Sequence, residues 1–482
     1  MIDLRPAIYV VGLLVAALGA AMALPCALDL ADGAGNWRAF ALSGFLSVTA
    51  GLAAAAACRT RRSQGLSIQQ AFALTVGVWV MLPLFGALPF MLGAPSASFA
   101  DAYFEAMSGI TTTGSTVFSG LETLPRGTLL WRGLLQWIGG IGIVVFALAF
   151  LPTLRVGGMQ FFRSESFDTL GKILPRAGEI AASISWIYVA LTGACALAYA
   201  ADGMSAFDAI VHAMTTVSTG GFANYDASLG HFERNVEYIA SVFMLLASLP
   251  FARYVQMLRG TARPLLTDPQ ARAYVAIIAA LTLALTLYRL ARFPDEAEES
   301  FREALFNTIS IISGTGYASV DYTQWGAFSS ALFFLMGLIG GCTGSTSCSI
   351  KIFRFQVVLI AISAQIKRIH TPHGVFPARY GERALEEEVI SSVMAFFFLF
   401  FLTLGVLAVA MGMLGYDTVT AVSGAATALA NIGPGLGDII GPSGNFAPLS
   451  DSAKWLLAFA MLIGRLEVVS VYVLLTAAFW RR

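Results

Sequence analysis

The chain has 482 residues, of which 57% are hydrophobic and 12% charged, with a mean hydropathy of +0.74. That composition excludes an ordinary soluble domain and places the fold in a lipid bilayer. Basic residues number 29 and acidic residues 29, a balance that argues against a nucleic-acid partner or a funnel for polyanions.

Apolar runs of about 20 residues cross a bilayer as helices. In chain order they fall at residues 7–29, 37–58, 69–92, 129–151, 182–201, 236–258, 272–291, 327–362, 389–414 and 453–479. The first run follows Arg5 and ends in "ALPCALDLADG", which looks like a processed secretory signal, but its length and the Pro25 before Cys26 favour a retained helix. Basic residues gather in alternate loops. They occur in "CRTRRSQG" (58–65), at Arg155, Arg163, Lys172 and Arg176, at Arg259, Arg263 and Arg272, at Lys367, Arg368, Arg379 and Arg383, and at Arg481 and Arg482. The positive-inside rule makes these loops and both termini cytoplasmic. On the opposite side "FPDEAEESFRE" (293–303) reads as an acidic outer loop.

Between the spans lie four segments too short to cross: "DAYFEAMSGITTTGSTVF" (101–118), "DAIVHAMTTVSTGGFAN" (208–224), "EALFNTISIISGTGYAS" (303–319) and "TVTAVSGAATALANIGPGLG" (418–437). Each has about three helical turns and then a glycine-containing turn. Counting seven residues on from Met107, Met214, Ile309 and Ala426 reaches Gly114, Gly221, Gly316 and Gly433. A fourfold repeat of span, re-entrant segment and span describes this pattern, after an N-terminal helix pair. The repeats divide the chain at 1–66, 67–156, 157–262, 263–372 and 373–482.

Non-helical backbone at membrane depth survives only when buried in protein or lining a watery cavity. Four such segments around one axis would aim negative helix ends at its centre. Their turns would present carbonyls, and hydroxyls such as those of Thr112, Thr113 and Thr219, to a cation shedding its water. A cation-selectivity filter is the expectation; close packing between helices is the competing reading for any one such turn taken alone.

Two further features stand out in the apolar background. "GGCTGSTSCS" (340–349) interrupts the run 327–362, and a loop of glycines and hydroxyls must face the pore or protein rather than lipid. Arg465 lies near the middle of the last span, where an unpaired charge costs at least ~2.5 kcal/mol. Such an arginine either stands in the ion path and holds the loop, or pairs with Glu467. Lys351 either faces the pore or snorkels to the interface. Cys26, Cys58, Cys195, Cys342 and Cys348 read as small buried residues rather than a disulfide framework. His212, His231, His370 and His373 lack metal-ligand spacing, and the chain shows no nucleotide-binding fingerprint or nucleophile-base arrangement, so it reads as neither an enzyme nor a nucleotide binder.

The residues resemble the TrkH/KtrB superfamily of potassium uptake proteins nearly end to end. "ITTTGST", "WRGLLQWIGGIGIVVFALAFLP", "STGGFAN", "GGCTGSTSCSIKIFR", "ALANIGPGLG" and "MLIGRLEVVSVYVLL" carry the likeness in order. The helix pair before the first repeat favours the Trk-type branch. The resemblance implies an all-α polytopic membrane protein with four helix–pore-loop–helix repeats in pseudo-fourfold arrangement around one pore. It implies potassium binding at Thr112, Thr113, Gly114, Thr219, Gly220, Gly221, Thr315, Gly316, Asn431, Ile432 and Gly433. It also implies gating by Gly340, Gly341, Gly344, Ser345, Thr346, Ser347, Lys351 and Arg465. Gly314 departs from the pattern, since relatives often carry a hydroxyl residue there. The resemblance further implies a homodimer in a bacterial inner membrane and a cytoplasmic RCK partner of TrkA or KtrA type. That partner, not this chain, would bind ATP, ADP or NAD. The alternative function is an ion-coupled (Na+ or H+) secondary transporter of K+ or Na+, which would call for paired inverted halves.

Overall fold

The computed structural model describes residues 3–59, 66–149, 177–258, 260–294, 296–381 and 383–481. The basic positions Arg61, Arg62, Arg155, Arg163, Lys172, Arg176, Arg259 and Arg482 lie outside these residues. The fold is helical, and its only named strands among the described residues are Arg379–Tyr380 and Arg383–Ala384, paired antiparallel.

Helix α1 (Arg5–Ala21) continues as α2 (Ala23–Ala31) and packs against α3 (Trp37–Ala57). Glycines let the two backbones touch. A Cβ added at Gly12 would lie 2.6 Å from the Gly51 carbonyl oxygen, and one at Gly19 would lie 3.0 Å from that of Gly44, an antiparallel register that repeats every seven residues. A capping box of Ser67 and Gln70 starts α4 (Ile68–Gly86), which runs on into α5 (Leu88–Leu92).

Four units follow, each with a short helix between longer elements. The short helices are α6 (Phe99–Ile110), α9 (Ala206–Val217), α14 (Ala297–Ser313) and α18 (Thr418–Ala430). Side chains of Ser98, Ser205 and Asp417 cap the first, second and fourth. Each short helix packs on the long helix before it: α4, α8 (Ala177–Ala201), α13 (Pro269–Arg292) and α17 (Glu387–Met413) respectively. The elements after them are α7 (Arg126–Ala149), the pair α10 (Arg234–Ala247) and α11 (Phe251–Leu258), the pair α15 (Ala327–Gly337) and α16 (Ile352–His370), and the pair α20 (Asp451–Arg465) and α21 (Val469–Leu475). The remaining short α-helices among the described residues are α12 (Arg263–Leu266), α19 (Gly437–Ile440) and α22 (Ala477–Trp480).

Six uninterrupted stretches among the described residues are long and apolar enough to cross a membrane: Arg5–Ala31, Trp37–Ala57, Ile68–Leu92, Ala181–Ala201, Pro269–Arg292 and Glu387–Met413. Two runs read as continuous spans are broken instead. Run 236–258 turns by 89° between α10 and α11, and run 453–479 turns by 111° between α20 and α21. Pro250 accounts for the first break, because its ring excludes the preceding residue from helical geometry. At the second, Glu467 takes φ 60° and binds Arg354 of α16, so the chain leaves the helix at a buried ion pair. The acidic stretch expected as an outer loop also differs. From Ala297 it is the start of α14, where Glu298 and Glu299 suit the positive helix end and Glu298 meets Arg302 one turn on at 3.2 Å.

Ion pairs with buried members join helices within units and between them. Arg132 of α7 meets Glu105 of α6 at 2.8 Å with both side chains almost fully enclosed. Arg302 of α14 pairs with Glu237 of α10, Arg289 of α13 with Glu303 of α14, and Lys454 of α20 with Asp101 of α6 at 2.6 Å. Removing one member strands a buried charge, which costs about 3–5 kcal/mol, whereas removing both costs far less. Glu105→Ala should therefore lower the thermal midpoint of the detergent-solubilised protein sharply, and the volume-matched double change Glu105→Leu with Arg132→Met should recover much of the loss. Equal midpoints for wild type and Glu105→Ala would contradict this.

Candidate functional site

The C-terminal ends of α6, α9, α14 and α18 meet, and each ends the same way. Thr112, Thr219, Gly314 and Asn431 take left-handed backbone with φ of 52°, 51°, 75° and 53°. Their amides bond back three residues to the carbonyls of Gly109, Thr216, Ile311 and Ala428 at 2.9, 3.0, 3.0 and 3.4 Å. The next amides, of Thr113, Gly220, Thr315 and Ile432, bond back five residues to Ser108, Thr215, Ser310 and Thr427 at 2.8, 2.8, 2.9 and 3.1 Å. This paired bonding is the Schellman closure of a helix end. It explains the odd residue in the third turn, since glycine is the residue that adopts this backbone without strain. Threonine is β-branched and adopts it at a cost of about 1–3 kcal/mol, so Thr112 and Thr219 are held there by their surroundings.

Two residues further on, Gly114, Gly221, Gly316 and Gly433 are left-handed again, with φ of 87°, 77°, 78° and 115°. The space beside each is filled by the neighbouring unit. A Cβ on Gly114 would fall on the Gly220 carbonyl oxygen, one on Gly221 on that of Thr315, and one on Gly316 on that of Ile432. A Cβ on Gly433 would lie 2.9 Å from the Thr113 carbonyl oxygen, which returns the sequence of contacts to the first unit. The four turns thus form a closed ring in chain order, glycine against carbonyl at every joint. One cavity of 150 Å³ touches all four glycines and is walled further by Ser115, Thr116, Asp226 and Asn445.

The hydroxyls have other partners. Thr113 Oγ1 bonds to Thr111 Oγ1 at 2.7 Å and accepts from Asn431 Nδ2 at 2.9 Å. Thr219 Oγ1 donates to the Ser218 carbonyl at 2.7 Å, Thr315 Oγ1 meets Ser313 Oγ at 2.7 Å, and Thr112 Oγ1 faces Cys348 Sγ at 3.6 Å. The oxygens at the joints of the ring are therefore backbone carbonyls.

Several residues that support the ring were not among the expected site residues. Gln136 donates through Nε2 to the Gly220 carbonyl at 2.6 Å and accepts from the Phe222 amide at 3.0 Å, clamping the second turn from both sides. One helical turn earlier, Arg132 lies 4.1 Å from the Phe222 ring centroid and donates to the Ala223 carbonyl at 2.7 Å. Its partner Glu105 accepts from Thr116 Oγ1 and the Val117 amide, each at 2.9 Å. Tyr317 Oη bonds Thr215 Oγ1 at 2.5 Å, joining the third turn to the second. Arg132 and Gln136 did leave a signal: two polar side chains four residues apart inside an apolar run share one helix face.

On the side of the ring where the short helices end lies the loop 340–349, buried along most of its length. It docks in the break of the second unit, with the Cys342 amide bonding the Ser248 carbonyl at 3.0 Å, the Phe251 amide bonding the Gly344 carbonyl at 3.0 Å, and Thr346 Oγ1 donating to the Ala247 carbonyl at 3.0 Å. Ser347 Oγ accepts from the Gly341 amide at 2.8 Å, and Ser345 Oγ donates to the Cys342 carbonyl at 2.6 Å. A parallel bridge between Ile339 and Ile350 closes the base of the loop, with the Gly340 amide bonding the Ile350 carbonyl at 2.8 Å. At the loop's far end the Ser349 amide bonds the Ala430 carbonyl at 3.0 Å, directly under the fourth turn. Lys351 Nζ donates to the Ser347 carbonyl and so stays with the loop. Arg465 does not pair with Glu467, which is taken by Arg354; it donates to Cys348 Sγ instead.

Comparison with known proteins agrees with this architecture. The cation transport protein family TrkH matches residues 38–481. The Trk system potassium uptake protein TrkI of Halomonas elongata is 48% identical over 415 residues, which is 86% of this chain and 84% of that protein. TrkH of Escherichia coli K12 is 36% identical, covering 98% of each chain. The crystal structure of the potassium transporter TrkH from Vibrio parahaemolyticus superimposes with a TM-score of 0.91 at 34% identity, covering both chains completely. With its all-α, multi-pass fold, the chain belongs to the TrkH family of cation transport proteins.

Proposed function

We propose that this chain carries potassium into the cell across a bacterial inner membrane, through the ring formed by its four turns. The closed run of glycine-to-carbonyl contacts carries the reading. Four helix ends bring partial negative charge to one point, and carbonyls fixed around it can replace the water shell of a cation. Glycine at each joint makes room for the carbonyls of Thr113, Gly220, Thr315 and Ile432, that of Gly220 being steadied by Gln136; any Cβ would push one aside. The threonines and Asn431 act through the backbone they shape and through the bonds that hold adjacent turns in place. Relatives named as potassium uptake proteins support potassium as the ion.

In this reading the loop 340–349 is the gate. It closes the inner side of the ring while its bonds to the broken α10–α11 element hold, and conduction requires it to shift. Arg465 adds a positive charge at the same level, raising the barrier to a cation while the loop is closed. Lys351 anchors the loop's exit. Both termini lie in the cytoplasm, where a nucleotide-binding RCK partner biases the loop, and the chain works as a homodimer.

Three outcomes are expected. Gly316→Ser places a side chain on the Ile432 carbonyl and should lower the potassium-to-sodium permeability ratio in proteoliposomes about tenfold, equivalent to ~1.4 kcal/mol of discrimination. An unchanged ratio would remove Gly316 from the filter. Deleting residues 345–347 should raise potassium flux per folded protein; if the deletion lowers folding yield and leaves flux per protein unchanged, the loop is a packing element rather than a gate. Finally, the chain should restore growth of a potassium-uptake-deficient bacterium on low potassium when an RCK subunit is co-expressed. Failure with both proteins present in the membrane would contradict potassium uptake.

A further inference from the structure

Cys348 occupies an unusual place for a thiol. Its Sγ lies 3.6 Å from Thr112 Oγ1 of the first turn, and its Cβ lies 3.2 Å from where a Cβ on Gly314 of the third turn would stand. The next residue, Ser349, bonds the end of α18 in the fourth unit through both its amide and its hydroxyl. The thiol thus lies against two of the turns that form the ring.

Arg465 reaches it from α20. One guanidinium nitrogen, Nη1, donates to Cys348 Sγ, while Nε and Nη2 have no hydrogen-bond partner among the described residues, although the side chain is only 4% exposed. The Trp79 ring stands 5.8 Å from the guanidinium carbon and offers no acceptor oxygen. Glu467, the nearby carboxylate in sequence, is bound by Arg354. A guanidinium carries five donors and a sulfur is a weak acceptor. No oxygen of the described residues bonds these two nitrogens, and sulfur is the atom in reach that can gain one.

We propose that Cys348 is a peroxide-oxidised regulatory thiol, and that the oxygen it gains is held by Arg465, pinning the loop 340–349 to the last helix. In the reaction the sulfur lone pair attacks one oxygen of hydrogen peroxide, the S–O bond forms and the O–O bond breaks. The departing hydroxide takes the thiol proton and leaves as water. Sulfur loses two electrons to the peroxide, giving the sulfenic acid. Its oxygen accepts from the idle Nε or Nη2 of Arg465, a stronger contact than the thiol makes. An external dithiol reverses the change by attacking the sulfur, releasing water, and then freeing Cys348 as the dithiol closes to a disulfide. Because the pinned loop cannot leave the inner side of the ring, oxidation lowers flux; this effect rests on the gate reading above.

The test uses purified full-length protein in potassium-loaded liposomes, treated with hydrogen peroxide and then with dithiothreitol. Dimedone labelling and peptide mass spectrometry score the chemistry independently of flux. Peroxide should lower flux about fivefold or more, dithiothreitol should restore it, and the dimedone adduct should map to Cys348. A chain keeping Cys348 while the other four cysteines become serine should behave alike, and in Cys348→Ser or Cys348→Ala the treated-to-untreated flux ratio should stay near one. No adduct at Cys348, or an equal fall in flux in both Cys348 variants, would overturn the modification site. An adduct without a fall in flux would overturn the locking role. Absence of flux before treatment would count against potassium conduction instead, and the adduct would still decide the chemistry.

Discussion

The constraint on which the structure depends is that four helices end in the buried interior of the fold, where their last carbonyls must find partners within the chain. Each end answers in the same way, by turning left-handed and folding two amides back onto the helix. That closure uses the inner carbonyls and sends the chain on toward the next unit. What it leaves at each joint is a carbonyl beside a glycine. A solution to a local hydrogen-bonding problem, repeated four times, thereby supplies a ring of oxygens.

The surroundings follow from keeping that ring in place. Extended backbone has little rigidity of its own, and left-handed threonines tend to relax. Side chains from the enclosing helices therefore grip the turns: Gln136 on the second, Glu105 and Arg132 across the exits of the first and second, Tyr317 between the third and second, and Asn431 between the fourth and first. The loop 340–349 obeys the same rule of backbone satisfaction. Its amides reach carbonyls freed where α10 breaks and where α18 ends, so a broken helix and a buried loop satisfy one another. In the proposed reading it is this docking that the loop gives up when the path opens.

Much of this was legible in the sequence because it repeats. The small-residue turns at 112–114, 219–221, 314–316 and 431–433 were found from their spacing, and the loop from glycines and hydroxyls in an apolar run. Gly314, which differs from the threonines at the same place in the first two turns, is explained only by its backbone angle. The breaks within 236–258 and 453–479 were not legible. Both runs are apolar enough to span, and composition does not record that Pro250 would be used as a corner or that Glu467 would leave its helix for Arg354. The roles expected of threonine hydroxyls also shifted, because sequence cannot distinguish a hydroxyl that faces a cavity from one that bonds its own turn. Arg132 and Gln136 were visible as polar residues in a span, but their partners come from sequence-distant turns.

In the proposed filter the carbonyls of Thr113, Gly220, Thr315 and Ile432 bind the transported ion. Crystals of the protein grown in rubidium or thallium salts would test it through anomalous scattering, since both ions stand in for potassium. Anomalous density is expected on the axis of the ring, in contact with carbonyl oxygens of all four turns, and should be lost when sodium alone replaces the rubidium or thallium. Density confined to other parts of the protein, with none within the ring, would contradict it.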